Sequence, residues 1–375
     1  MNYTTLYHLI FVVKIKNNMR VCILGNGLAS LTLAKSIVNQ KIYVDFLYSK
    51  KTYPVNKTRT IGISKSNIEF FNEKIINIEK IIHKLKKIEI YSDNLEKQKL
   101  ISFGNNSDHL FSIVKNHKLQ QILEKNLFNN RYFTKTNYKK TINYSRDYDL
   151  VITTDYNHPI TKKYFNKKIE KKYNSVAYTT IIKHGKIVNN IAVQIFTKNG
   201  PLAFLPISEY ETSVVYSINN YLKGEIEITK LIKYYNLKYN LKKIDKIHSF
   251  ELKGLSLRSY FHKNILAFGD LLHRIHPLAG QGFNMTIRDI KFLNNIIQNK
   301  IDLGLPIDSK LNIEFENNQK HKNYIFSSGI DLIHQFFNLE RKTKNEFLSK
   351  SIQYFNKNSS INKIFTKIAD EGLLF

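Results

Sequence analysis

Continuous apolar runs, each closed by a turn residue or an acid, recur at 21–24 (VCIL), 148–155 (YDLVITTD) and 265–268 (ILAF). Such runs predict strands buried on both faces, as in a parallel sheet covered by helices. After the first run, Leu28, Leu31, Ala34 and Ile37 stand at helical spacing, and IYVDFLY (42–48) follows, so the chain opens as a βαβ unit. A second regime fills 174–218, where SVAYTTIIKH, IAVQIFT and SVVYSI succeed one another with Asn199-Gly200 as a turn signal. This predicts consecutive strands of a sheet of different character. Between the two regimes, residues 66–87 predict a Lys- and Ile-rich helix, IEIYSD and KLISF predict strands, and a helix is expected from about 116 to 126. Late in the chain Phe283, Ile287, Ile290 and Ile297 mark one helix face, and 307–375 reads as helical.

The expected fold class is therefore α/β. A Rossmann-like nucleotide domain is discontinuous over 19–65, 101–170 and 258–310, a β-sheet substrate domain is inserted as 66–100 and 171–257, and 311–375 forms a helical C-terminal region. Residues 1–18 read as an extension, disordered or from a misassigned start, with Met19 opening the first strand. Their apolar run LYHLIFVV is too short to span a bilayer and lacks the flanks of a signal peptide.

The single cysteine, Cys22, lies inside an apolar run and reads as a small buried hydrophobe in a reducing, cytoplasmic setting. The formal charge of +28 would ordinarily suggest nucleic acid or an anionic membrane. Only eight of the 58 basic residues are Arg, however, and the lysines are scattered among Asn, Ile, Tyr and Phe, as an AT-rich coding sequence produces. Without clustering or a recognition motif the charge does not read as a nucleic-acid surface. Peripheral attraction to acidic lipid at the inner face of a membrane is the expectation it supports.

Candidate chemistry concentrates in GDLLHRIHPLAGQGFN (269–284), which gathers Gly and Pro in a chain holding only 14 Gly and 6 Pro. Glycine is costly unless a dihedral or a close approach needs it. The earlier turn Gly25-Asn26-Gly27, between a buried strand and a helix, lets backbone come close to a pyrophosphate at a helix N-terminus. His273-x-x-His276 lacks further ligands for zinc, and no metal site is expected.

Taken in order, Gly25-x-Gly27, the Asp-ended middle strand, and Gly269-Asp270 followed by His276-Pro277-x-x-Gly280-Gln281-Gly282-x-Asn284 resemble the class A flavoprotein monooxygenases built like para-hydroxybenzoate hydroxylase. Arg59-x-x-x-x-Ser64, VKNHKLQQIL (114–123) and FTKNGPLAFLP (196–206) look like the ubiquinone-biosynthesis hydroxylases, the last stretch like their 2-octaprenyl-6-methoxyphenol hydroxylase branch. The likeness runs from Met19 to the helical tail. It implies FAD as cofactor, NAD(P)H as co-substrate, O2, and hydroxylation of a polyprenylated phenol through a flavin hydroperoxide. The chemistry would be borne by the flavin, with no catalytic side chain to nominate.

The resemblance places Gly25, Gly27, Arg59, Asn116 and Asp155 on the dinucleotide. It puts Gly269 and Asp270 at the ribityl chain, and Pro277, Gly280, Gln281, Gly282 and Asn284 along the isoalloxazine. Pro277, Gln281, Gly200 and Pro201 would face the ring side of the substrate, although Gly200 reads equally as a hairpin turn into a core strand. Other ubiquinone-biosynthesis proteins are possible partners. Several positions depart from the family pattern: Ser30 at the third glycine, Tyr48 at the ribose acid, Tyr156 after Asp155, Leu271-Leu272 after Gly-Asp, Lys115 before Asn116, and Thr286. Two other readings stand beside the main one: a flavin monooxygenase of a soluble aromatic, and a non-catalytic scaffold subunit.

Overall fold

A computed structural model describes residues 19–49, 56–93, 98–104, 109–138, 144–219, 225–236, 238–277, 280–343, 367, 370 and 371. The expected extension at 1–18 lies outside them. The chain begins β1 (Arg20–Leu24), α1 (Leu28–Val38), β2 (Tyr43–Tyr48) and β3 (Thr60–Ser64). Next come α2 (Lys65–Phe70), extended by a π-helical turn at Phe71–Ile75, then β4 (Ile82–Leu85), β5 (Lys87–Ser92), β6 (Gln98–Phe103) and β7 (Phe111–Lys115). α3 (Asn116–Phe128), β8 (Phe133–Asn137), α4 (Tyr144–Asp147), β9 (Leu150–Thr153) and α5 (Pro159–Tyr164) follow. A run of strands, β10 (Lys168–His184), β11 (Ile191–Thr197), β12 (Gly200–Pro206) and β13 (Glu211–Asn219), leads through α6 (Glu225–Tyr235) to β14 (Leu241–Ile244) and β15 (His248–Leu257). The described chain closes with β16 (Phe261–His262), β17 (Ile265–Ala267), β18 (His273–Arg274), α7 (Gln281–Asp302) and α8 (Ser309–Thr343).

The first sheet has the order β16-β17-β9-β1-β2-β8, with β17, β9, β1, β2 and β8 parallel. Val21, Cys22, Ile23 and Leu24 are all buried, as are Leu150, Val151 and Ile152, because α1, α3, α7 and the first turns of α8 cover the sheet. Burial pushes the Cys22 thiol well up from its ordinary value, so the cysteine stays neutral and inert. The second sheet is mixed, in the order β18-β15-β10-β13-β12-β11-β5-β6 with β14 also on β10, and it packs Tyr216, Leu202 and Val214 against Ile228 and Ile232 of α6. A small sheet, β3-β7-β4, bridges the two.

One sequence expectation fails here. The helix expected over 66–87 ends at Ile75, and Ile82–Leu85 is a strand paired antiparallel with β7. The sequence IIHKL carries no periodicity that separates helix from strand, and the edge offered by β7 decides it. Among the described residues no helix is long and apolar enough to cross a membrane.

Candidate active site

The carboxyl ends of β17, β9, β1 and β2 lie side by side, and their loops carry Gly269-Asp270, Thr154-Asp155, Gly25-Asn26-Gly27 and Tyr48. Open parallel sheets bind ligands at this edge, where the strand ends leave a crevice. Gly25 N–H donates to Leu47 O at 2.9 Å and Thr154 N–H to Leu24 O at 2.8 Å, which fastens three of the loops together. Gly25 has a φ of +135°, and a Cβ there would strike Thr154 Oγ1, so only glycine lets the two turns pass this closely. Gly269 comes equally near α1: a Cβ on it would stand 3.0 Å from Ala29 Cβ. Two glycine turns far apart in sequence thus meet at the first turn of α1.

That turn is left open by the side chains around it. Gly27 caps α1 with no side-chain bond, the first turn holds no acid, and among the described residues no atom beyond its chain neighbours lies within 4 Å of a Cβ built on Gly27. The first N–H groups of a helix have no intrahelical acceptor and carry its positive dipole end. Asp270 is exposed at the same edge, beside buried Gly269.

The second half of the site is the loop from β18 to α7, of which Leu278 and Ala279 lie outside the described residues. Pro277 is half-buried in it. Gly280 caps α7 in the left-handed region, with a built Cβ 3.7 Å from Gly62 of β3. Gln281 and Gly282 open the helix, and among the described residues no atom beyond its chain neighbours and its own helix lies within 4 Å of a Cβ built on Gly282. Fully buried Asn284 ties the corner: its Nδ2 donates to Gly62 O (3.0 Å) and Gly280 O (3.2 Å), and its Oδ1 accepts from Ser64 N (2.9 Å) and Asn67 Nδ2 (2.9 Å). All its polar atoms therefore meet protein. Arg288, one turn on, donates to Asn284 O and Gln281 Oε1, each at 3.2 Å, and its guanidinium lies 4.6 Å over the Phe326 ring. Burial pulls Arg288 down to about 10, which leaves it charged at neutral pH.

The residues expected on the cofactor divide into two groups. Gly25, Gly27, Gly269 and Asp270 converge at one sheet edge, and Gly280, Gln281, Gly282 and Asn284 share the start of α7. The Asp155 carboxylate, by contrast, is engaged locally, accepting from Tyr138 O–H (2.7 Å) and Asn157 N–H (2.8 Å). Arg59 is exposed, and its carbonyl accepts from Asn116 N–H at 3.0 Å. The buried Asn116 Oδ1 has no hydrogen-bond partner among the described residues, which leaves an acceptor at the start of α3. Gly200 and Pro201 sit in the β11–β12 hairpin. There Thr197 Oγ1 accepts from Gly200 N–H (3.2 Å) and donates to Gly200 O (2.7 Å), and a Cβ on Gly200 would strike Ser217 O. The hairpin reading accounts for that glycine from within the sheet.

Each departure from the family pattern finds an internal partner. Ser30 Oγ bonds Thr154 Oγ1 at 2.6 Å, Lys115 Nζ pairs with Glu211 at 2.6 Å, and Tyr156 O–H donates to Glu170 at 3.0 Å under the Lys168 ammonium. Leu271 and Leu272 are buried in the core, Thr286 is buried on α7, and Tyr48 lies beneath Lys135 Nζ at 5.0 Å.

Sequence reasoning missed Asp289. Fully buried on α7, it holds His273 Nε2 at 2.6 Å and accepts from Asn323 Nδ2 at 3.0 Å, pinning β18 and α8 to α7. His276 stacks on His334 at 4.2 Å with Tyr173 edge-on at 5.2 Å, so His276 packs toward α8 while His273 is held by Asp289 of α7. Among the described residues no group of three or more His, Cys, Asp or Glu is placed to hold a metal ion. A cavity of about 310 Å³ opens between Lys171 and Tyr173 of β10, Arg274 and Ile275, and Asp331 and Leu332 of α8.

No protein-family model matches the chain. It is 22% identical over 445 aligned positions to the ubiquinone biosynthesis monooxygenase COQ6, mitochondrial, of Dictyostelium discoideum, covering 87% of this chain and 89% of that protein. It is 27% identical to the 3-demethoxyubiquinol 3-hydroxylase of Escherichia coli over 38% of this chain and 39% of that one. Among solved structures, Klebsiella pneumoniae HpxO complexed with FAD and uric acid superposes with a TM-score of 0.72 at 11% identity, covering 95% of this chain and 98% of that one.

Proposed function

Because the chain belongs to the class A FAD-dependent aromatic monooxygenases of the ubiquinone-biosynthesis hydroxylase family, we propose that it hydroxylates the ring of a polyprenylated phenol, with NAD(P)H as reductant and O2 as oxygen source. The observation that carries the reading is the meeting of Gly25-Asn26-Gly27 and Gly269-Asp270 at the uncapped start of α1. The residues fit the cofactor. Among the described residues, Gly27 and Gly282 have open space beside them and Asn116 Oδ1 is a buried acceptor without a partner, and Asp270 is an exposed acid at the sheet edge.

When bound, FAD supplies the reduction and oxygen-activating chemistry. The chain's own residues bind and orient. The first N–H groups of α1 would donate to the pyrophosphate oxygens, and Gly25 and Gly27 would let the backbone reach them. Asp270 accepts hydrogen bonds from ribityl hydroxyls. The start of α7 would offer its positive end to the pyrimidine edge of the ring, a fixed dipole suited to negative charge there. Arg288, held beside Gln281, adds a cation to the same end. With a discontinuous nucleotide domain and an inserted sheet domain, the ring and substrate would lie between the two sheets, and the helical region backs the loop through His334 and Asn323.

A phenol carrying a long apolar tail resides in a bilayer, and the excess of lysine supports a peripheral contact with acidic lipid. Expression of the gene in a bacterium lacking the corresponding ring hydroxylase tests the reading. Restored quinone with loss of the accumulated precursor is expected. An unchanged precursor pool with the protein present and loaded with flavin would reject the polyprenylphenol in favour of another aromatic.

A further inference from the structure

Asp370 returns to the start of α2, far away in sequence. Its backbone carbonyl accepts from Ser64 Oγ (2.9 Å) and Ser66 Oγ (3.0 Å), and its carboxylate Oδ1 accepts from Ser66 N–H (2.9 Å). Ser64 is fully buried, and α2 has no cap of its own, since Ser64 makes no side-chain capping bond. A distant residue therefore supplies the cap that the local sequence lacks.

The corner it grips is the one that Asn284 holds from the other side. Asn284 Oδ1 accepts from Ser64 N–H and Asn67 Nδ2, while its Nδ2 reaches Gly62 O and Gly280 O. Ser64 N–H and Ser64 Oγ are thus bound by two different parts of the chain, and one of these carries the glycine that begins α7. Asp370 also acts electrostatically on Arg288, where together with Asp289 it favours the charged form against burial. Arg288 in turn holds Gln281 Oε1 and Asn284 O.

We infer that Asp370 is a positioning residue for the loop that begins α7: it caps α2 and so holds the β3–α2 corner, Asn284 and Gly280 in one arrangement. The inference deepens the proposed function and rests on its reading that this loop meets the flavin. The contact makes flavin affinity depend on a residue that touches no flavin.

The test uses full-length protein with Asp370→Ala and Asp370→Asn, read by FAD titration and by hydrogen exchange of the peptide spanning 60–70. Ala removes the Oδ1 acceptor and Asn restores one of the same shape. Asp370→Ala is expected to speed exchange at the Ser66 amide and to weaken FAD binding about five- to tenfold. Asp370→Asn should recover the exchange protection and most of the affinity. An Ala variant matching wild type in either readout, or an Asn variant as impaired as Ala in exchange, overturns the inference. Wild-type protein that binds no FAD would instead sink the functional reading, and exchange at Ser66 would still decide the capping contact.

Discussion

Gly282→Ala separates a glycine required by the fold from a glycine required by a ligand. Gly282 is the second residue of α7, lies outside the left-handed region, and among the described residues has nothing within 4 Å of a built Cβ. In flavin-free protein the new methyl therefore meets no clash, and it lowers the entropy of the unfolded chain. Gly→Ala at a compatible helical position stabilises by about 0.4–1 kcal/mol. On the proposed placement of the flavin, the methyl would stand where the ring edge approaches the helix start. Overpacking of about 1–3 kcal/mol then weakens binding roughly five- to hundredfold. Gly280→Ala is the comparison: its φ of +62° strains any side chain, so it loses stability with or without flavin. The assay is urea denaturation of flavin-free protein alongside FAD titration. Opposite signs are expected for Gly282→Ala, a gain in stability and a loss of affinity. Unchanged FAD affinity would refute the placement of the ring at α7.

Asp270→Ala should leave the melting of flavin-free protein within experimental error of wild type, because the side chain is exposed, and should weaken FAD about tenfold or more by removing charged acceptors; equal FAD affinity would contradict the ribityl role. His158 accepts the Ile160 N–H at 3.3 Å as the cap of α5, and burial holds its pKa below the ordinary value. The unfolded chain therefore takes up the proton first as pH falls, so this contribution is full above about pH 6.5 and is lost below it. His158→Asn, which can still cap, should flatten the fall in stability between about pH 7.5 and 5.5, and an unchanged slope would point to other groups. Sedimentation with acidic liposomes should decrease as salt rises, because exposed charges are screened; binding indifferent to ionic strength would remove the electrostatic part of the membrane contact.

The sequence was most legible where a pattern is local. ILAF, IAVQIFT and VCIL read as strands because each apolar run is short and bounded, and the Ile287, Ile290 and Ile297 face of α7 is buried as its spacing implies. β10 begins at Lys168, earlier than SVAYTTIIKH suggests, because KIEKKY is a charged stretch paired with β15. Side-chain partners distant in sequence left no signal. The Ser30–Thr154, Lys115–Glu211 and His273–Asp289 contacts depend on elements brought together only by folding. Read singly, Ser30 and Lys115 are departures from a pattern, and in the structure each has a partner. The Asp370 contact belongs to the same class, since a lone acid far along the chain says nothing about an uncapped helix at residue 65. The glycines of the candidate site were visible as an excess, but which of them serve the backbone and which leave space for a ligand required the dihedrals and neighbours of each.

In the proposed function the crevice at the carboxyl edge of the parallel sheet holds FAD, and the bound flavin serves to hydroxylate a phenol. Its most direct test is titration of flavin-free protein with FAD, followed on the same sample by NAD(P)H oxidation with and without a short-tailed polyprenylphenol, with mass analysis of the product. One FAD bound per chain, oxidation accelerated by the phenol, and a product heavier by one oxygen that carries label from 18O2 are expected. A correctly folded protein that binds no FAD, or that binds it and leaves every phenol unchanged while oxidising NAD(P)H, would contradict it.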